Sequence, residues 1–125
     1  MLTKLLVIGC GGFLGAILRY GLSLAAHRRF PGSFAIGTLA VNVLGCLAIG
    51  ALLASVIERD ALSHNARLFW GVGLLGSFTT FSTFGFETFE WLEKGQPRAA
   101  LLNVTLNVLL GLAAVWVGRG LVRGF

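Results

Sequence analysis

Apolar residues run through this chain in four long stretches, 5–26, 34–57, 68–91 and 99–121, each interrupted by only a few polar positions. A bilayer's hydrocarbon is crossed by about 20 predominantly apolar helical residues, so each stretch predicts a transmembrane helix. The joints between them carry turn and interface residues: HRRFPGS (27–33), ERDALSHNAR (58–67) and EKGQPR (93–98). No shift in composition and no repeat divides the chain. Residues 1–125 are therefore expected to form a single four-helix transmembrane domain with little left over for a soluble one. The first stretch is long, contains Arg19 and is followed by three more, which sets it apart from a secretory leader.

The pattern changes inside the third stretch, GVGLLGSFTTFSTFGFETFE (71–90). Five hydroxyls fall within the seven positions 77–83, namely Ser77, Thr79, Thr80, Ser82 and Thr83, interleaved with Phe78 and Phe81 and followed by Phe84. Such side chains compete for the helix's own carbonyls, β-branched threonine disfavours the helix, and Gly76 adds freedom, so a break is expected between Gly76 and Thr80. Unwound backbone at membrane depth is tolerated only against protein or water, and its freed carbonyl oxygens suit a cation such as Na⁺. Beyond the break Phe81 and Phe84, at i and i+3, share one helix face. Two readings stand: ordinary packing, or a path whose ring edges, carrying partial positive charge, meet an anion.

Polar groups elsewhere in the apolar stretches narrow the choice, because in hydrocarbon they must be paired or face a watery cavity. Asn42 lies near the middle of the second stretch, too deep to reach the interface, with Thr38 one turn earlier on the same face. It is either a clasp between helices or a donor facing a pore. Asn103 and Asn107, flanking Thr105, draw a polar stripe down the fourth stretch, again as clasp or hydrophilic track. Arg19 either snorkels to the interface or draws anions into a vestibule. Glu87, toward the end of the third stretch, is expected to bond an interface group such as Arg19. With Ser82, Thr83, Asn42 and Asn107 as donors beside Phe81 and Phe84, the set reads as an anion path.

Composition agrees: 56% of residues are hydrophobic and 12% charged, with a mean hydropathy of +0.85. The net charge of +5 is scattered over helix ends without a basic run, which argues against nucleic acid and for interfacial anchoring in a cell membrane. With four crossings, Lys4, Arg59, Arg67, Arg119 and Arg123 share one side, while Arg28, Arg29, Lys94 and Arg98 lie opposite, with Arg19 near that second end. Lys/Arg asymmetry sets orientation. Near balance therefore points to insertion either way up and an antiparallel homodimer; a weak bias that still fixes one orientation is the competing reading. Gly11 and Gly15, and further Gly45, Gly50, Gly73 and Gly111, leave thin places for close helix contact. Cys10 and Cys46 read as small apolar fillers, and no catalytic set or metal-ligand spacing occurs, so no enzyme is expected.

The segments GGFLGAILRY, GTLAVNVLG and above all GSFTTFSTFGFE resemble the CrcB/Fluc family of fluoride channels. The resemblance implies a dual-topology homodimer with two antiparallel pores and a central Na⁺ held by backbone carbonyls, here those of Gly76 and Thr79. It further implies Phe81 and Phe84 as pore phenylalanines, Asn42 as the pore asparagine and Arg19 as the vestibule arginine. Two departures from the pattern stand out. Ser77 stands where many relatives have glycine, and Asn103 and Asn107 stand in a track that some relatives build from Tyr or Ser.

The expected activity is passive fluoride export through a channel, with fluoride, lipid and a second copy as partners. A proton-coupled small four-helix exporter is the first alternative; it needs a titratable group at membrane depth, and Glu87 alone qualifies. A non-transporting assembly subunit, with the polar stripes acting only as clasps, is the second.

Overall fold

The structure, a computed structural model, describes residues 1–32, 35–59 and 62–124, with backbone alone at Glu58 and Arg59. Phe34, where the second apolar stretch begins, lies outside the described residues. Helix α1 (Leu2–Arg29) leads to α2 (Ile36–Arg59). A helical arm follows, built from α3 (His64–Arg67), a π-helical segment (Leu68–Leu75) and α4 (Gly76–Phe78). After two extended residues come α5 (Phe81–Glu93) and α6 (Pro97–Arg123). Every ordered element among the described residues is helical.

Local chemistry sets these limits. Ser63 caps the arm by accepting the Ala66 amide at 3.3 Å. Gly95, at φ +69°, closes α5 in a left-handed turn that lets the Gln96 amide reach the Trp91 carbonyl at 2.8 Å. Pro97 then opens α6, where its missing N–H would have had no partner in any case. The arm departs from the plain α-helix expected over 68–75: its turns are π-wide, and Gly73 leaves bare backbone for α1 to rest on, while Gly71 faces Leu52 of α2.

Three helices, α1, α2 and α6, are long and apolar enough to cross a membrane, with mean hydropathies of 1.8, 2.3 and 2.0 over their best windows. At about 1.5 Å per residue they reach about 36–42 Å, against about 30 Å of hydrocarbon. The chain is a multi-pass membrane protein. Neither half of the broken 64–93 segment is that long by itself.

Packing runs along two glycine seams. Gly11 and Gly15 of α1 lie against the carbonyls of Phe69 and Leu74, and a methyl on Gly73 would sit 2.6 Å from the Ile8 carbonyl oxygen. On the other side, Gly50 of α2 backs onto Val115, and Gly118 of α6 meets the backbone of Leu47 and Ala51. Between helices in lipid there is little hydrophobic drive, so this close approach through small residues supplies the contact. Large apolar side chains point outward instead: Phe13, Trp116 and Leu121 are each about two-thirds exposed. The two largest fully buried side chains are Val41 and, unexpectedly for so apolar a chain, Asn103.

Candidate functional site at the broken helix

The break falls at Thr79 and Thr80, whose backbone is extended (ψ 158° and 113°), within the interval read from the hydroxyl cluster. The expected competition is visible. Thr79 Oγ1 donates to the Leu75 carbonyl at 3.1 Å, and Ser77 Oγ reaches both the Leu74 carbonyl at 3.1 Å and, across the seam, the Gly12 carbonyl at 2.9 Å. Thr80 then restarts the helix as the cap of α5, its Oγ1 accepting the Thr83 amide at 3.2 Å.

Two substitutions of hydrogen-bond partner define the break. In an uninterrupted α-helix the Thr80 amide would close on the Gly76 carbonyl and the Thr83 amide on the Thr79 carbonyl. Instead the Thr80 amide donates to Asn42 Oδ1 at 2.9 Å, and the Thr83 amide is taken by the Thr80 hydroxyl. The carbonyls of Gly76 and Thr79 are thereby released from the ladder. Uncharged backbone oxygens freed in this way are the donor type that an alkali cation takes, so these two residues fit the Na⁺ that the resemblance implies. Among the described residues there is no cluster of three His, Cys, Asp or Glu to compete for a metal.

From Asn42 the bonds continue across three helices. Asn42 Nδ2 donates to the Thr80 carbonyl at 3.2 Å and to Asn107 Oδ1 at 3.0 Å. Asn107 Nδ2 donates to Asn103 Oδ1 and to the Asn103 carbonyl, both at 3.0 Å. Asn103 Nδ2 donates to Thr88 Oγ1 at 2.9 Å, and Thr88 donates to the Phe84 carbonyl at 2.7 Å. Both ends of this relay lie on α5 or its cap, and its middle lies on α2 and α6.

Beside the relay, an open groove of about 430 Å³ is lined by Asn42, Gly76, Thr79, Thr80, Phe81, Phe84 and Asn107, among others. The rings of Phe81 and Phe84 stand 5.4 Å apart and tilted by 54°. Phe84 is partly covered and Phe81 is 82% exposed. These seven residues, all singled out in the sequence, thus share one groove.

The others sit elsewhere. Ser82 and Thr83 gather around the Thr80 hydroxyl, at 3.3 and 3.0 Å, and belong to the cap of α5. Thr38 is buried and donates to Glu87 Oε1 at 2.7 Å, while Glu87 Oε2 is enclosed without a hydrogen-bond partner. Glu87 therefore bonds α2 rather than the arginine expected for it. Arg19 is half-buried on α1, away from the groove lining. Asn103 is fully enclosed, behind the groove rather than in it.

The family described as CrcB-like protein, Camphor Resistance (CrcB), matches residues 6–119. This chain belongs to the CrcB family. It is 45% identical to the fluoride-specific ion channel FluC of Chloroflexus aurantiacus over 124 residues, covering 99% of this chain and 98% of that protein. It is 47% identical to the protein of that name from Campylobacter jejuni over 118 residues, covering 94% of this chain and 96% of the other. With that of Clostridium perfringens the identity is 42%, over 94% and 92% of the two chains. The family that the three motifs resemble is the one the whole chain matches.

Within this CrcB-family chain, two residues gain a role that the sequence did not signal. Thr80 is both cap and clasped peptide, and Thr88 joins α5 to the buried Asn103. Thr88 lies among ordinary α5 residues in FETFEW, with no spacing to mark it.

Proposed function

We propose that this chain is a passive fluoride channel of the cell membrane that exports fluoride and lowers its cytoplasmic concentration. The observation that carries this reading is the pairing of a clasped helix break with Phe81 and Phe84 in one groove, in a chain whose relatives are named fluoride-specific ion channels. Fluoride is small and strongly hydrated. A conducting path must replace its water with donors and still release it quickly. Aromatic edges offer weak contacts, and the amides of Asn42 and Asn107 stand beside them. Efflux follows the fluoride gradient and a negative-inside potential, worth about 2.3 kcal/mol per charge for each 100 mV.

The broken 64–93 segment serves as the fourth crossing, and two copies assemble antiparallel. Three features support this reading: near balance of basic residues between the two sides, a groove open along one face, and the exposed Phe81 ring at its edge. In such a pair the carbonyls of Gly76 and Thr79, with the same two from the second copy, would hold a Na⁺ through uncharged oxygens, and the ion would supply a positive charge that ties the two breaks together. Arg19 in this reading raises the local anion concentration at the mouth, and Ser82 and Thr83 line the path only at its edge.

A second reading has one observation in its favour. The enclosed, unpartnered Glu87 Oε2 is where a proton-coupled exporter would carry its proton. Growth separates the alternatives: fluoride-sensitised bacteria carrying this chain grow at raised fluoride and keep doing so with Glu87→Gln. Loss of protection in that variant alone would favour coupled export, and no protection by the native chain would favour a non-transporting subunit.

A further inference from the structure

The relay through α6 has a direction that the ends impose. The Thr80 amide can only donate and the Phe84 carbonyl can only accept. Between them every group passes a donor onward: Thr80 N–H to Asn42, Asn42 to Asn107, Asn107 to Asn103, Asn103 to Thr88, and Thr88 O–H to the Phe84 carbonyl. Side-chain amides that pivot freely elsewhere are therefore fixed here in one orientation, because flipping any of the three sets donor against donor or acceptor against acceptor. Aligned hydrogen bonds of this kind also polarise one another.

We propose that Asn103 is a positioning residue for the fluoride path: it fixes the Thr80 peptide through Asn107 and Asn42, and the Phe84 turn through Thr88. This rests on the channel reading above. Asn103 touches neither the groove nor the break, yet it is the fully enclosed centre of the relay, with one arm to each. Its amide holds Asn107 so that Asn107 Oδ1 accepts from Asn42. That in turn leaves the second Asn42 hydrogen for the Thr80 carbonyl and Asn42 Oδ1 for the Thr80 amide. Its other arm ends on the carbonyl of Phe84, the residue whose ring pairs with Phe81. The released carbonyls and the aromatic pair are thus held in one register by a side chain that meets no ion.

Asn103→Leu cuts the relay without touching the helix ladders. Asn107 keeps the residue-103 backbone carbonyl but loses the side-chain acceptor of its second N–H, and Thr88 keeps the Phe84 carbonyl but loses the donor to its hydroxyl. The experiment combines fluoride efflux from liposomes with amide hydrogen exchange of the same purified proteins. Asn103→Leu and Thr88→Val are expected each to lower fluoride efflux about five- to tenfold, the scale of one lost hydrogen bond. The double variant falls no further, since both cut one chain. In Asn103→Leu, exchange at the Thr80 amide accelerates about tenfold while amides of α1 keep their rates, which a purely local packing role would not produce. Should Asn103→Leu not fold, Thr88→Val alone carries the efflux arm. Unchanged Thr80 exchange, unchanged efflux, or losses that multiply in the double variant would overturn the proposal. Absent efflux from the native chain would instead overturn the channel reading.

Discussion

The side-chain amide of Asn42 pairs with both backbone polar groups of Thr80, accepting its N–H at 2.9 Å and donating to its carbonyl at 3.2 Å. A side chain on α2 thereby stands in for the turn of helix that the third segment lacks. Asn42→Leu strands the Thr80 amide and carbonyl and the Asn107 oxygen together, and is expected to cost about 2–4 kcal/mol in denaturant unfolding. Asn42→Asp keeps an acceptor for Thr80 but loses both N–H donors and sets a negative charge in the groove. Its expected outcome is a folded protein with fluoride efflux reduced at least about tenfold; native efflux in that variant would place the path elsewhere.

Phe81 offers most of its ring to the outside of one chain, and Phe84 stands 5.4 Å behind it. Replacing either with isoleucine keeps apolar bulk but removes the ring's polarised edge. Fluoride efflux is expected to drop with both Phe81→Ile and Phe84→Ile while elution in size-exclusion chromatography is unchanged. Retained efflux in both returns the pair to simple packing.

Much of this arrangement was legible in the sequence where its cause is local. The break at 79–80 follows from hydroxyls competing for nearby carbonyls, and Thr79 makes that bond. The seam of Gly11 and Gly15 follows from spacing alone. What escaped was decided by partners distant along the chain. Asn103 and Asn107 read equally as clasp or track until their bonds to Thr88 and Asn42 are seen, across separations of 15 and 65 residues. Ser82 and Thr83 read as path hydroxyls, and their bonds to the Thr80 hydroxyl give them a part in the cap of α5 that the sequence did not show. The π-wide turns over 68–75 have no marker in the segment, whose Gly73 signals only the close contact with α1.

Gly15 has no room for a side chain, since a β-carbon there overlaps the Leu74 carbonyl and the Ser77 hydroxyl. Gly15→Val is expected to push α1 off the arm, at about 1–3 kcal/mol or more. Gly21, with nothing near it, takes alanine freely. Thermal unfolding of the two variants side by side tests the seam; equal stability would dismiss it.

On the proposed antiparallel reading, the near balance of basic residues makes orientation adjustable. Lysine added at Gln96, next to Lys94 and Arg98, tips the balance one way, and arginine at Ser63 tips it the other. Each variant alone is expected to insert in one orientation and protect cells from fluoride poorly, and the two expressed together to restore protection. Full protection by either alone would speak against an antiparallel pair.

The most direct measurement is fluoride efflux from liposomes holding only the purified protein, read with a fluoride electrode once valinomycin has clamped the potential, with chloride followed in parallel. The account predicts rapid fluoride efflux that needs no pH gradient, with chloride retained. Equal release of chloride, or fluoride efflux only when a proton gradient is imposed, would contradict it.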